Sequence, residues 1–401
     1  MTTDIASHPP GALAGIRVLD FARFMPGPFA AWLLADYGAE VIRIEHPREV
    51  AKQEALLGWT STAPAQRQLA RAAQVYARNK RSLQIDPTHP EGRAAILELV
   101  SRADVLVEDY RPGVMQAMGY GYAEMSAINP RLIYCSVSFA GQSGPYSARP
   151  GHDPLALALA GVLSLLANSP QPQLPNIPVA DVVAGCLASF GILAALQARG
   201  QSGRGQLVDM AMSDAATVML GAPLWRNAGQ LNVPLPQGHW VPKGGLWECA
   251  DGRYLCTTDM EPRYWERFCS VIGRPDFIPL QGVRARWPEM QQAIATAMRA
   301  RPRDAWLQLL EAADTQFMPV YTVEEAFNDP HNVARGMRQT LPVGDAGVVH
   351  QFGPPVKLSA TPGQVRFPAP LPGADNAAIL GELGYDAQRI AALRAAGVIR
   401  D

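Results

Sequence analysis

The chain predicts an α/β fold with a parallel sheet in a large domain and a smaller α+β domain after it, on three observations. Strand-like and helix-like segments alternate through the first half. A stretch rich in Pro, Gly and Asn at 229–243 then changes its character. Beyond it, Asp251-Gly252 between short apolar runs signals a hairpin, with three helix-like segments following.

The first strand is expected at 16–22 (IRVLDFA), with Pro26-Gly27-Pro28 as a tight loop and a helix at 29–37 closed by Gly38. The next strand is 41–45 (VIRIE), followed by a polar stretch at 50–77. A strand at 82–85, a helix at 91–102 and strands at 105–107 and 132–137 continue the alternation. Helices of this length between strands give a parallel sheet covered on both faces. Helices are expected at 154–167 and 182–199, the second apolar on nearly all sides and so buried or at a subunit interface. The domain boundaries are 1–223 for the first part of the large domain, 224–244 for a linker and 245–320 for the small domain. A second linker is expected at 321–347, and 348–401 returns to a discontinuous large domain.

With 401 residues, 48% of them hydrophobic and 18% charged, the chain can bury a large core. A net charge of −1 argues against nucleic acid as the main ligand. No apolar run is expected to span a bilayer, the longest being 154–167. The first ten residues lack the charged and apolar regions of a signal peptide, and Val398-Ile399-Arg400-Asp401 is no targeting address, so a cytoplasmic protein is expected. Five scattered cysteines without a C-x-x-C pair read as free thiols.

Most chemistry signatures are missing. Pro26-Gly27-Pro28 stands where G-x-G-x-x-G would mark an NAD site, and no Walker loop, G-x-S-x-G elbow or H-E-x-x-H occurs. What remains is a histidine in Gly151-His152-Asp153, an aspartate in Val179-Ala180-Asp181 and a glutamate in Met260-Glu261-Pro262. His152 is either a structural residue or a neutral base at a helix mouth, where the dipole disfavours imidazolium. Asp181 reads as the N-cap of the apolar helix or as a carboxylate able to act as base or nucleophile. On position alone, Glu261 is structural. Arg43, Asn79-Lys80-Arg81 and Arg111-Pro112-Gly113 lie in or beside strands. They are either solvated surface charges or, near a parallel sheet's carboxyl edge, phosphate contacts.

Several strings together resemble the family III CoA-transferases (CaiB/BaiF), the group that includes α-methylacyl-CoA racemase. They are Gly15-Ile16-Arg17-Val18-Leu19-Asp20, Pro26-Gly27-Pro28, the run 34–45 (LADYGAEVIRIE), Asn79-Lys80-Arg81-Ser82, Arg111-Pro112-Gly113, Asn129-Pro130-Arg131-Leu132-Ile133-Tyr134, Gly203-Arg204-Gly205-Gln206 and Leu383-Gly384-Tyr385-Asp386. The resemblance implies a Rossmann-like large domain, an interlocked homodimer and an acyl-CoA substrate. It requires no cofactor beyond that CoA. CoA would be bound by Arg43, Asn79, Lys80, Arg81, Arg111 and Gly151. In the transferase branch, the residue matching Asp181 is a nucleophile forming a mixed anhydride. In the racemase branch it is a base opposite the histidine matching His152, which the glutamate matching Glu261 supports. The racemase branch is the expectation, for a 1,1-proton transfer at the α-carbon of a 2-methylacyl-CoA. CoA transfer between carboxylic acids is the alternative. One departure is Pro154-Leu155-Ala156, where racemases continue with Ile-Asn-Tyr.

Overall fold

The computed structural model describes residues 10–59, 62–166, 171–226, 229–230 and 242–400. The expectations for the first nine residues and for most of the 224–244 linker lie outside these. Two compact units are present, Met1–Ala222 with His331–Asp401, and Pro223–Pro330.

In the first unit the helices and strands run β1 (Arg17–Asp20), α1 (Pro26–Asp36), β2 (Glu40–Glu45), α2 (Pro47–Leu56), α3 (Pro64–Ala72), β3 (Lys80–Gln84), α4 (Pro90–Ser101) and β4 (Val105–Glu108). Then come α5 (Val114–Ala117), α6 (Tyr122–Ile128), β5 (Ile133–Ser138), α7 (Asp153–Leu159), α8 (Val179–Ser202), β6 (Leu207–Ala211), α9 (Met212–Thr217) and α10 (Gly221–Arg226), the last crossing the boundary after Ala222. The six strands form one sheet in the order β3-β2-β1-β4-β5-β6, parallel throughout. The strand order reverses between β1 and β4, and in such sheets ligands bind in the crevice outside the carboxyl ends at that point.

Alternate residues of each strand feed two cores. Val18, Val41 and Val107 pack with the alanines of α1 and α8, whereas Leu19, Ile42 and Leu106 pack with α4 and the chain's C-terminal helices. Proline opens several helices (Pro26, Pro47, Pro64, Pro90), where its missing N–H costs nothing. Pro26-Gly27-Pro28 is therefore the first turn of α1 rather than a loop. Gly27 is needed there because a Cβ would lie 2.3 Å from that of Ala22. The polar stretch 50–77 holds α3 and most of α2, two short helices with few apolar residues.

α7 is shorter than the expected 154–167 helix, since Gly161 takes a left-handed φ of 79° just past its end. α8 is longer, with 24 residues. By length and composition α8 is apolar enough to cross a membrane, which overturns the expectation that no segment is. Inside the unit its Ala180, Ala184, Ala188, Ile192 and Ala195 pack against the core containing α1. Its outer side leaves Phe190 and Leu193 exposed.

The second unit has the antiparallel sheet β7 (Gly244–Glu248), β8 (Tyr254–Thr258) and β9 (Phe317–Pro319), with helices α11 (Pro262–Val271), α12 (Trp287–Met298), α13 (Arg303–Ala312) and α14 (Val323–Asn328). Trp247, Leu255, Trp265, Phe268, Ile294 and Trp306 form its core. Of the hairpin pair only Gly252 has positive φ, and its N–H bonds to Cys249 O. The connection is thus a three-residue loop with a glycine bulge, not the two-residue turn expected.

The chain then passes through α15 (Pro330–Ala334) and a hairpin of β10 (Gln339–Pro342) and β11 (Val348–Gln351) to α16 (Asn376–Glu382) and α17 (Ala387–Ala395). Residues 331–347, expected as linker, pack with the first unit, where Leu341 and Val343 share a small core with Ala72. The final segment locks onto β3: Asp375 accepts from Ser82 N, and Asn376 Oδ1 accepts from Gln84 N.

Candidate active site

A cavity of about 300 Å³ opens at the carboxyl ends of β1, β4 and β5, where the sheet order reverses. Arg23, Phe24, Asp109, Tyr110 and Arg111 line it from the loops after β1 and β4, and Gly151, His152 and Asp181 are also on its wall.

His152 directly precedes α7 in an extended conformation, and its side chain makes no capping bond. Its ring stands edge-on to Phe24, with centroids 5.7 Å apart and planes at 77°. The residue before it must be glycine, because a Cβ on Gly151 would fall 2.2 Å from the Phe139 ring. Asp153, the next residue, is buried, and its Oδ2 accepts from the backbone N–H of Asp181 at 3.1 Å. That bond ties the start of α7 to the start of α8, so the histidine and the aspartate face one space from two linked helix ends.

Asp181 is not the N-cap expected. α8 begins at Val179, which places Asp181 in the first turn, its carboxylate free to face the cavity. Burial, with the Asp153 charge second, pushes this carboxyl up to about 7. At a helix start the dipole alone would lower it, so desolvation outweighs the dipole here. The same Asp181 charge, after burial, raises the Tyr76 hydroxyl above its ordinary value.

Glu261 belongs to the second unit. It precedes α11, its carbonyl accepts from Tyr264 and Trp265, and its exposed side chain makes no capping bond.

The basic residues divide. Arg111 is exposed on the cavity, and Arg43, largely buried 3.6 Å from Glu45, lines two neighbouring cavities of about 310 and 390 Å³ beyond β1 and β2. Asn79 and Lys80 do not open onto a surface, contrary to the phosphate-contact reading. Lys80 starts β3, at the amino end of the strand, and is 1% exposed, donating to Asp20 at 2.7 Å and to Pro28 O at 2.9 Å. Asn79 adopts φ 58° and bonds Asp36, Gln364, Arg366 and Phe367. Arg81 pairs with Glu40 and Glu382.

Sequence reasoning missed Arg23, Phe24, Asp109 and Arg149 as cavity residues. The one local signal was Glu108-Asp109, two acids closing a buried strand; burial pushes both carboxyls up to about 7. Among the described residues no group of three His, Cys, Asp or Glu side chains could hold a metal ion.

The family model for CoA-transferase family III matches residues 13–376. A succinyl-CoA–L-malate CoA-transferase alpha subunit of Chloroflexus aurantiacus is 33% identical, the match covering 96% of this chain and 92% of that protein. Human α-methylacyl-CoA racemase is 32% identical, with 97% of each covered. A CaiB/BaiF family protein from Brucella suis superposes with a TM-score of 0.78 at 25% identity, covering 94% of this chain and all of that one. Relatives with both activities thus stand at like identity, and they share one family with this protein: the chain belongs to CoA-transferase family III.

Proposed function

We propose that the protein is a 2-methylacyl-CoA racemase-type isomerase, transferring a proton to and from the α-carbon of an acyl-CoA thioester. The observation that carries this reading is that His152 and Asp181 line one cavity, with the Asp181 carboxyl held near neutrality. A group near the working pH both accepts and returns a proton efficiently. His152 removes the α-proton from one face; the neutral carboxylic acid of Asp181 delivers one to the other, and the roles exchange for the opposite enantiomer. Glu261 is the proposed support of the imidazole.

The developing enolate needs donors. Backbone N–H groups near Asp181 are already engaged: Asp181 N with Asp153, and Val182 N with Pro178 O. The 151–153 stretch is left as the proposed donor. Arg43 and Arg111 are the proposed phosphate contacts of CoA, and Gly151 lets the thioester approach the backbone. The chemistry as proposed uses no cofactor besides the CoA of its substrate. A second copy of the chain as partner is supported by the exposed apolar side of α8 at Phe190 and Leu193.

The second reading, CoA transfer through an aspartyl anhydride at Asp181, is supported by the transferase relatives. It needs Asp181 as the carboxylate, the form that burial disfavours and that the racemase also uses in one of its two directions. Incubation with an (S)-2-methylacyl-CoA in deuterated water, without an acceptor acid, separates the two. Deuterium at the α-carbon together with inversion is expected. Neither appearing, with CoA exchanged only on adding a carboxylic acid and a hydroxamate trapped at Asp181, would establish transfer instead.

A further inference from the structure

The loop after β1 meets the loop after β4 at the reversal point of the sheet. Asp109, the first residue past β4, has a side chain only 3% exposed. Its Oδ2 accepts from two successive backbone N–H groups, Arg23 at 2.8 Å and Phe24 at 2.5 Å. Its other oxygen has no hydrogen-bond partner, although Arg23 Nε lies 3.8 Å from it. The Arg23 guanidinium is stacked 3.8 Å over the Tyr110 ring and lies 5.3 Å from that of Phe24. Phe24 in turn stands edge-on to His152.

Phe24 is 53% exposed, so core packing does not hold its ring. What holds it is its backbone, and the anchor of that backbone is one carboxylate. Arg23 and Phe24 also line three neighbouring cavities at this edge of the sheet, so the clamped loop is a wall common to them.

We infer that Asp109 is a positioning residue for His152: it fixes the backbone of Arg23 and Phe24 so that the Phe24 ring holds the imidazole in one orientation over the cavity. The clamp is a matter of geometry; its effect on rate rests on the proposed role of His152 as a base. A buried carboxyl oxygen that accepts two successive backbone N–H groups fixes both residues, and an edge-on aromatic pair has a defined preferred geometry. Burial pushes the Asp109 carboxyl up to about 7, partly offset by the two N–H groups and by Arg23, with the Asp20 charge opposing them. Glu108 and Tyr110 are the other titratable groups beside it, and Lys80 pairs with Asp20.

The test is carbon-13 NMR of the full chain labelled at histidine Cε1, with the His152 signal assigned by its loss in His152→Gln. Phe24→Leu removes the ring and should shift that signal. Asp109→Ala should shift it in the same direction while the other histidine signals stay. Asp109→Leu, which fills the space without an acceptor, serves in its place where the alanine variant does not fold. Asp109→Asn, which keeps an acceptor oxygen, should restore the signal toward its original position. In α-deuterium exchange, Phe24→Leu and Asp109→Ala should each lower kcat about tenfold or more with KM unchanged, and the double variant should fall no further than the lower single one. An unmoved His152 signal in the Asp109 variants, beside a moved one in Phe24→Leu, would overturn the clamp. Wild-type protein that exchanges no α-deuterium would overturn the base role of His152 alone, because the NMR comparison judges the clamp without turnover.

Discussion

Replacing Lys80 by methionine separates two uses of that side chain, a contact to the phosphates of CoA and an internal counter-ion. The Lys80 and Asp20 side chains are 1% and 0% exposed, and the ammonium also donates to Pro28 O. Methionine keeps the apolar stem but leaves the Asp20 carboxylate in the interior without its cation. Removing one partner of a buried pair costs about 3–5 kcal/mol, against a whole-domain stability of about 5–15 kcal/mol. The midpoint of urea unfolding, followed by far-UV circular dichroism, should therefore fall steeply. Adding Asp20→Asn removes the orphaned charge while keeping an oxygen for Ala22 N, which Asp20 Oδ1 now accepts at 3.0 Å. The double variant should recover at least half of the loss. CoA affinity of the folded variants, by calorimetry, should stay within about twofold, well under the 1.4 kcal/mol of a tenfold change. A Lys80→Met protein with an unchanged urea midpoint and CoA binding weakened about tenfold would refute the buried-pair reasoning and return Lys80 to the phosphates.

Three further outcomes follow from the same geometry. The Asp181 carboxyl, near 3.8 when unfolded, sits at about 7 in the fold. Between these values the folded protein holds the extra proton, so stability from this group is full at acid pH and is lost as pH rises toward 7; Asp181→Asn should flatten that slope in urea midpoints measured from pH 4 to 7. Asp153→Asn keeps an acceptor for Asp181 N but removes the charge that helps raise Asp181. Its pH–rate profile, in the direction that needs protonated Asp181, should therefore lose activity from a lower pH than wild type. Gly205→Ala would set a Cβ 2.0 Å from the backbone oxygen of Leu132, which cannot step aside as a side chain would. A loss of about 1–3 kcal/mol or more is expected by urea unfolding, and a neutral result would remove the steric reason for glycine in Gly203-Arg204-Gly205.

The parallel sheet was legible because its central strands β4 and β5 are buried on both faces, and β4 spells an unbroken apolar run in Val105-Leu106-Val107. α2 and α3 were not: Leu56 and Leu57 are exposed, and Arg71 is buried in an ion pair with Glu45, so apolar positions do not mark the buried side and polar ones do not mark the solvent side. α8 was underestimated in length because Pro178 precedes it without a capping side chain, leaving Asp181 as the nearest residue that looks like a cap. Basic residues misled for a related reason. A charge beside a strand looks solvent-facing in sequence, yet Lys80 sits where β3 begins, paired with Asp20 from β1, and the neutral Asn79 before it bonds Asp36.

The strings around His152 and Asp181 left a structural reading open, and the family resemblance singled the two residues out; that Asp153, adjacent to one, bonds the other is visible only in the fold. The rest of the cavity wall has no such local sign. Arg23 and Phe24 lie 86 and 85 residues from Asp109, and nothing in either segment names the other. They meet because β1 pairs with β2 on one side and with β4 on the other. That pairing puts the loops after β1 and β4 side by side, with β5 and α7 next in line. The histidine is thus carried by a local motif, whereas the wall that orients it is made by strand order. A substitution in β1 or β4 that shifts their register by one residue would leave every motif intact and still part Asp109 from the Phe24 backbone. Site-directed changes at Val18 or Leu106 should accordingly disturb the His152 NMR signal more than equally destabilising changes in the second unit's core at Phe268 or Ile294. Equal disturbance from both would mean that general stability, not the meeting of these two loops, sets the histidine's position.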